Sequence, residues 1–127
     1  QPRDSFAWHG KADCLRGLGN HGSAIEAWEK ALQYGMEPRI ALTRMGDAHL
    51  SLGDLERGEL CYRKALDLGY DKYAWLGMAR VKARAGKGRE AEEILSFLSR
   101  EEPHDRRIQE ECRRRLERGT RNAERGR

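Results

Sequence analysis

Proline is scarce in this sequence: Pro2, Pro38 and Pro103 are the only three among 127 residues. Long helical segments can therefore run without interruption. β-branched residues are few as well, and aromatics make up only 7%. Ala, Leu, Glu, Arg and Lys dominate instead, a balance that favours helix over sheet. No apolar run approaches the ~18 residues expected of a membrane span. No signal peptide is visible, and the first residue is Gln1 rather than Met, which reads as a processed form or an excised fragment. The three cysteines, Cys14, Cys61 and Cys112, are odd in number and far apart, and they form neither a metal-ligand spacing nor a disulfide framework. They read as small buried hydrophobes, which favours a reducing compartment and hence the cytoplasm.

Catalytic signatures are missing too. There is no nucleophile elbow, no phosphate loop and no paired-acid constellation. Gly86-Lys87-Gly88-Arg89 is phosphate-friendly in composition but lacks the strand–loop–helix context of a P-loop. His9 and Asp13 stand four apart on one helix, a spacing that can hold a metal, but no third ligand or HExxH-type pattern accompanies them. His49 falls at a helix-packing position. The expectation is a chain with no enzyme activity, no metal and no cofactor.

What is present is periodic. In the stretch from Arg39 to Asp71, Leu42, Met45, Gly46 and His49 recur at three- and four-residue steps, as do Leu55, Gly58, Tyr62, Ala65 and Leu66. Each set lies on one face of a helix. Between them Gly53-Asp54 marks a turn. One such helix pair cannot bury its apolar face alone, and the chain supplies neighbours of the same kind. Trp8, Leu42 and Trp75 are spaced by 34 and 33 residues, and the turns Gly19-Asn20, Gly53-Asp54 and Gly86-Lys87 keep the same register. Small residues recur at Ala24, Gly58 and Ala91, followed four residues on by bulky Trp28, Tyr62 and Leu95. Ala or Gly lets two helices approach, and the large residue fills the space beside the crossing.

The spacing predicts helices near Ser5–Leu18, Gly22–Tyr34, Pro38–Leu52, Leu55–Leu68, Lys72–Ala85 and Gly88–Arg100. A seventh should run from about Pro103 to Arg118 as a closing cap, with a narrow stripe of Ile108, Cys112 and Leu116. Residues 119–127 have no apolar anchor and read as a disordered basic tail. Positions 105–127 hold nine Arg against one Asp and four Glu, so the whole net charge of +4 resides there.

This pattern resembles the tetratricopeptide repeat (TPR) family over roughly Ser5 to Pro103. Trp8 and Trp75 match its leading aromatic, Met45-Gly46 and Met78-Ala79 its apolar–small pair, and Ala24 with Trp28 and Gly58 with Tyr62 its small–aromatic pair. Pro103 matches its closing proline. Lys11, His49 and Lys82 stand where the family prefers apolar residues. The pentatricopeptide pattern has a similar period but fits the glycine turns less well. The resemblance implies an all-α, right-handed superhelical solenoid. Its domain spans residues 5–118, with repeats at about 5–37, 38–71 and 72–103 and the cap at about 103–118.

The resemblance also implies a function. First helices of such repeats line a concave groove that binds a peptide or a partner protein. The residues facing it would be Phe6, His9, Asp13, Ile40, Thr43, Arg44, Asp47, Tyr73, Leu76, Arg80 and Arg84. Phe6, Ile40, Tyr73 and Leu76 would be apolar anchors among ionic groups. The plainer alternative is a solvated inner face whose Asp and Arg pair with one another. The co-chaperone type of TPR clamps a peptide carboxylate with Lys, Asn, Asn, Lys and Arg. The matching positions here are His9, Asp13, Arg44, Tyr73 and Gly77, so none of the five agrees. The partner itself is unknown. Self-association as a homo-oligomer, or service as an adaptor domain of a larger protein, is the alternative. Nucleic-acid binding through Arg106, Arg107, Arg113, Arg114, Arg115 and Arg118 is disfavoured, because Glu110, Glu111 and Glu117 interleave with them as helical ion pairs and no aromatics are present to stack bases.

Overall fold

The helix ends are set by a recurring backbone turn. At Gly19, Gly53 and Gly86 the φ angles are 81°, 81° and 80°, the left-handed region that a side chain resists. Each of these turns closes with the next residue's amide reaching back five positions. Asn20 N–H donates to Leu15 O at 2.8 Å, Asp54 N–H to His49 O at 2.9 Å, and Lys87 N–H to Lys82 O at 2.9 Å. These bonds satisfy carbonyls that the helix end would otherwise leave open.

A computed structural model describes residues 4–125, with side chains through residue 118. Its elements are α1 (Ser5–Gly17), α2 (His21–Gln33), α3 (Pro38–Ser51), α4 (Leu55–Asp67), α5 (Lys72–Arg84), α6 (Gly88–Glu101) and α7 (Arg106–Arg125). No strand occurs among the described residues. The chain forms two compact units, Gln1–Gly77 and Met78–Arg127.

In the first unit, α1 packs on α2, α3 on α4, and α2 on α3. Trp28 and Tyr62 are fully buried, as are Ala24, Ala31 and Ala65. Tyr62 shows why small residues recur. A Cβ placed on Gly46 would lie 2.7 Å from Tyr62 Cε1, and one on Gly77 would lie 2.2 Å from Tyr62 Cζ. The ring thus occupies a window between α3 and α5 that only two glycines leave open. Gly58 has more room: its Cβ would meet Gly46 O at 3.4 Å. The tightest glycine contacts are therefore on the first helices, not on the second helix as the spacing suggested.

In the second unit α6 packs on α7, burying Leu95, Leu98, Ile108 and Cys112. The Gln109 amide donates to Ser99 O at 2.7 Å and Glu102 O at 2.9 Å, closing the end of α6. Two expectations fail here. Pro103 lies in the connection, not in the first turn of α7, which Asp105 caps by accepting from Ile108 N–H at 3.0 Å. And α7 does not stop near Arg118: it continues to Arg125 through the stretch read as a disordered tail. Adding a residue to an existing helix is far easier than nucleating one, and a single glycine costs only about 1 kcal/mol there. Residues 126–127 lie outside the described residues.

Candidate functional site

The expected groove begins at the first turns of α1, α3 and α5. Each of these helices opens on an acidic cap, and each cap holds the amide of the apolar residue expected to act as an anchor. Asp4 Oδ1 accepts from Phe6 N–H at 2.9 Å, Glu37 Oε2 from Ile40 N–H at 3.1 Å, and Asp71 Oδ1 from Tyr73 N–H at 2.9 Å. A carboxylate at a helix start satisfies open amides and complements the helix dipole. The side chains they fix point into solvent: Phe6 is 83% exposed, Ile40 40% and Tyr73 52%. The Lys72 ammonium stands 5.4 Å from the Tyr73 ring centroid.

Asp71 does a second job. Although it is buried, its Oδ2 accepts from Arg39 Nη1 at 2.6 Å. This charge-assisted bond ties the start of α3 to the start of α5, and so fixes Ile40 relative to Tyr73. Sequence reasoning missed it. The available signal was an Asp immediately before a helix, paired in register with an Arg just after Pro38.

The remaining expected residues divide into those the structure leaves on the surface and those it uses internally. His9 is half-buried. Its Nδ1 accepts from the indole N–H of buried Trp28 at 3.2 Å, and its Nε2 lies 3.4 Å from Asp13 Oδ2. Asp13 also faces Arg16 Nε at 3.6 Å. His9 thus satisfies the one polar atom of a buried tryptophan, a structural duty. Arg44 is exposed, and Asp47 is half-buried and accepts a short hydrogen bond from the Tyr62 hydroxyl.

Two of the expected groove residues are buried. Leu76 is 5% exposed and belongs to the core, not to the anchors. Thr43 is also 5% exposed, and its hydroxyl donates to its own helix at Arg39 O at 3.0 Å. A three-residue step rotates a helix by about 300°, so Leu76 and Thr43 drift from the phase of Tyr73 and Ile40 toward the packed side.

In the second unit Arg80 is engaged by α7. Glu111 takes its guanidinium through Nε at 2.9 Å and Nη2 at 2.7 and 2.8 Å, and Arg115 Nε adds a contact to Glu111 at 3.2 Å. Burial alone would push the Glu111 carboxyl up, but the hydrogen bonds and charge of Arg80, with those of Arg115, outweigh it and hold it below the usual carboxylate range. The ion pairs expected of Glu111 within α7 are secondary to this one. Arg84 is exposed. Burial pushes the Cys61 and Cys112 thiols above their ordinary value, whereas Cys14 is exposed. Among the described residues no three of His, Cys, Asp or Glu converge as metal ligands would, and no helix is long and apolar enough to cross a membrane.

The sequence model of the tetratricopeptide repeat matches residues 7–34 and 41–68, the stretches of α1–α2 and α3–α4. Among solved structures, the first TPR of Spaghetti (RPAP3), bound to the HSP90 peptide SRMEEVD, is similar with a TM-score of 0.77 and 17% identity, over 90% of this chain and 94% of that one. The first TPR domain of human RPAP3 is similar with a TM-score of 0.77 and 18% identity, over 92% and 93% of the two chains. No curated protein sequence matches the chain. Residues 7–34 and 41–68 are thus two tetratricopeptide repeats in register, built on the small-against-large packing described above, and the chain has the all-α TPR solenoid fold of these domains.

Proposed function

We propose that this protein is a protein–protein interaction module that captures an extended peptide or a partner's segment along the first helices of its repeats. The observation that carries this reading is the set of Phe6, Ile40 and Tyr73. These are three exposed apolar side chains at equivalent register positions, each held by an acidic cap, on a fold that serves as an interaction module. Exposed apolar groups on rigid elements mark contact surfaces. Arg44, Asp13 and Asp47 supply polar groups beside them. In this reading residues 72–103 are the third repeat, α7 closes the stack, and the protein performs no chemistry of its own.

The Spaghetti domain is bound to an acidic peptide, SRMEEVD. That supports peptide capture on this fold, but the ligand of this chain is of another kind. At the five clamp positions His9 is committed to Trp28 and Gly77 to the Tyr62 window, and Asp13 carries the wrong charge for a carboxylate. Apolar anchors in the ligand, not an acidic terminus, fit the exposed side chains. Selection from a displayed library of random peptides tests this. Enriched sequences should carry two or more apolar residues and should lose about tenfold or more in affinity for Tyr73→Ala or Ile40→Ala. Enrichment of acidic termini, or indifference to both substitutions, would refute it.

A further inference from the structure

The first two helix pairs treat their buried aromatic residue differently. In the second pair, the hydroxyl of fully buried Tyr62 donates directly to Asp47. In the first pair, Trp28 stands at the register of Tyr62 and Asp13 at that of Asp47, each 34 residues earlier. His9 is inserted between them. Its Nδ1 accepts from the indole N–H at 3.2 Å, and its Nε2 lies 3.4 Å from Asp13 Oδ2. This fixes where the ring's protons can be. Nδ1 accepts only while it carries no proton, so the neutral ring keeps its proton on Nε2, toward Asp13. An imidazolium carries a proton on both nitrogens, and its Nδ1–H would meet the indole N–H donor to donor. Trp28 is 0% exposed, and His9 is the acceptor its indole has among the described residues. Asp13 Oδ1, by contrast, is buried without a hydrogen bond of its own, 3.6 Å from Arg16 Nε. A protonated ring therefore has an indole to leave and a carboxylate to turn to. At the register of His9 the later first helices carry Thr43 and Leu76, neither of which titrates.

We propose that His9 is an acid-sensitive latch between α1 and α2: its neutral ring ties Trp28 to α1, and its protonated ring releases the indole and turns to Asp13. The charged groups around it bear on this choice. On α1, Asp13 attracts the imidazolium and Arg16 opposes it from beyond the carboxylate, while the Lys11 ammonium lies 5.1 Å from the Trp8 ring centroid. On α2 the group that faces His9 is the uncharged Trp28 N–H; Glu26, Glu29 and Lys30 are exposed, and His21 is the first residue of the helix. On α3, Arg44 is exposed and Asp47 takes the Tyr62 hydroxyl. α1 is a helix that such a latch can move. Only Trp8 and Ala12 of its 13 residues are buried, against five residues on α2 and six on α3. A helix held by so little apolar contact opens locally at small cost, and one unpaired donor in a dry core is a large fraction of that cost. α1 also carries Phe6, so loosening it withdraws the first anchor of the groove. That consequence alone rests on the groove reading; the latch itself does not.

The test is a pH titration of the full chain by NMR, across the range in which imidazoles change charge. The Trp28 indole N–H signal, assigned through the backbone of α2, should move with pH in step with the His9 ring signal, while the Trp75 indole does not follow. Over the same interval the protection of α1 amides against hydrogen exchange should fall about tenfold relative to those of α4. His9→Asn keeps an acceptor near the place of Nδ1 and cannot be protonated, so both responses should vanish in it. An indole signal that ignores the titration of His9, a response that survives His9→Asn, or α1 protection that stays level with α4 overturns the latch. A His9 ring that stays neutral throughout the range overturns it as well.

Discussion

Gly77→Ala should destabilise this protein, although alanine is ordinarily the better helix residue by about 1 kcal/mol. The added methyl would sit 2.2 Å from Cζ, 2.4 Å from Cε1 and 2.6 Å from Cε2 of Tyr62. Those are ring atoms of a fully buried side chain, not the end of a flexible one, so the ring must move. Overpacking of this kind costs about 1–3 kcal/mol. A displaced ring also strains the hydroxyl's bond to Asp47, worth about 1.5–3 kcal/mol when the acceptor is charged. Setting the propensity gain against these losses leaves a net loss of about 2–4 kcal/mol. Urea unfolding, followed by helical circular dichroism, would measure it. The control is Gly22→Ala, where a Cβ meets nothing within 4 Å and stability should hold or rise by up to about 1 kcal/mol. In a double-mutant cycle Gly77→Ala should lose most of its cost once Tyr62 is also replaced by Ala. If Gly77→Ala unfolds at the same urea concentration as the natural chain, or if its cost persists without Tyr62, the glycine window does not exist.

Asp71→Ala removes both a helix cap and the partner of Arg39 and should cost about 2–4 kcal/mol in the same assay, against about 1 kcal/mol for removing the exposed cap of Asp4. The depressed carboxyl of Glu111 contributes stability that is present above the ordinary carboxylate range and is lost as pH falls through its lowered value. Acid titration of unfolding should therefore show a loss that Glu111→Gln or Arg80→Ala abolishes; an unchanged profile in both would mean the pair does not form. A thiol reagent at neutral pH should label Cys14 promptly and Cys61 and Cys112 only on unfolding, since both are buried and hold their protons. Equal labelling of all three in the folded protein would contradict the helix packing.

Much of the fold was legible because its local signals recur along the chain. The turns at Gly19, Gly53 and Gly86 need a positive φ, and the bulky positions Trp28 and Tyr62 follow small residues at fixed steps. Such signals are local and survive without knowledge of neighbours. The register also located Phe6, Ile40 and Tyr73 as exposed first-turn residues. It failed where the answer depends on a contact distant in sequence. The Arg39–Asp71 bond joins the start of α3 to the cap of α5, and the Arg80–Glu111 pair joins α5 to α7; neither has a periodic signature. Leu76 and Thr43 are buried where exposed side chains were expected, because spacing fixes a helical face only to within a residue's rotation. The end of α7 was misread because a charged helix without apolar anchors resembles a disordered tail in composition.

The claim that the first helices form the binding surface is tested most directly by mapping a bound peptide on the isotopically labelled protein by NMR. A selected peptide should perturb the signals of Phe6, Ile40 and Tyr73 and their first turns, with an affinity that changes little with salt. Perturbations confined to the exposed arginines of α7, such as Arg107 and Arg114, with affinity falling steeply as salt rises, would contradict it and identify the basic helix as the binding element.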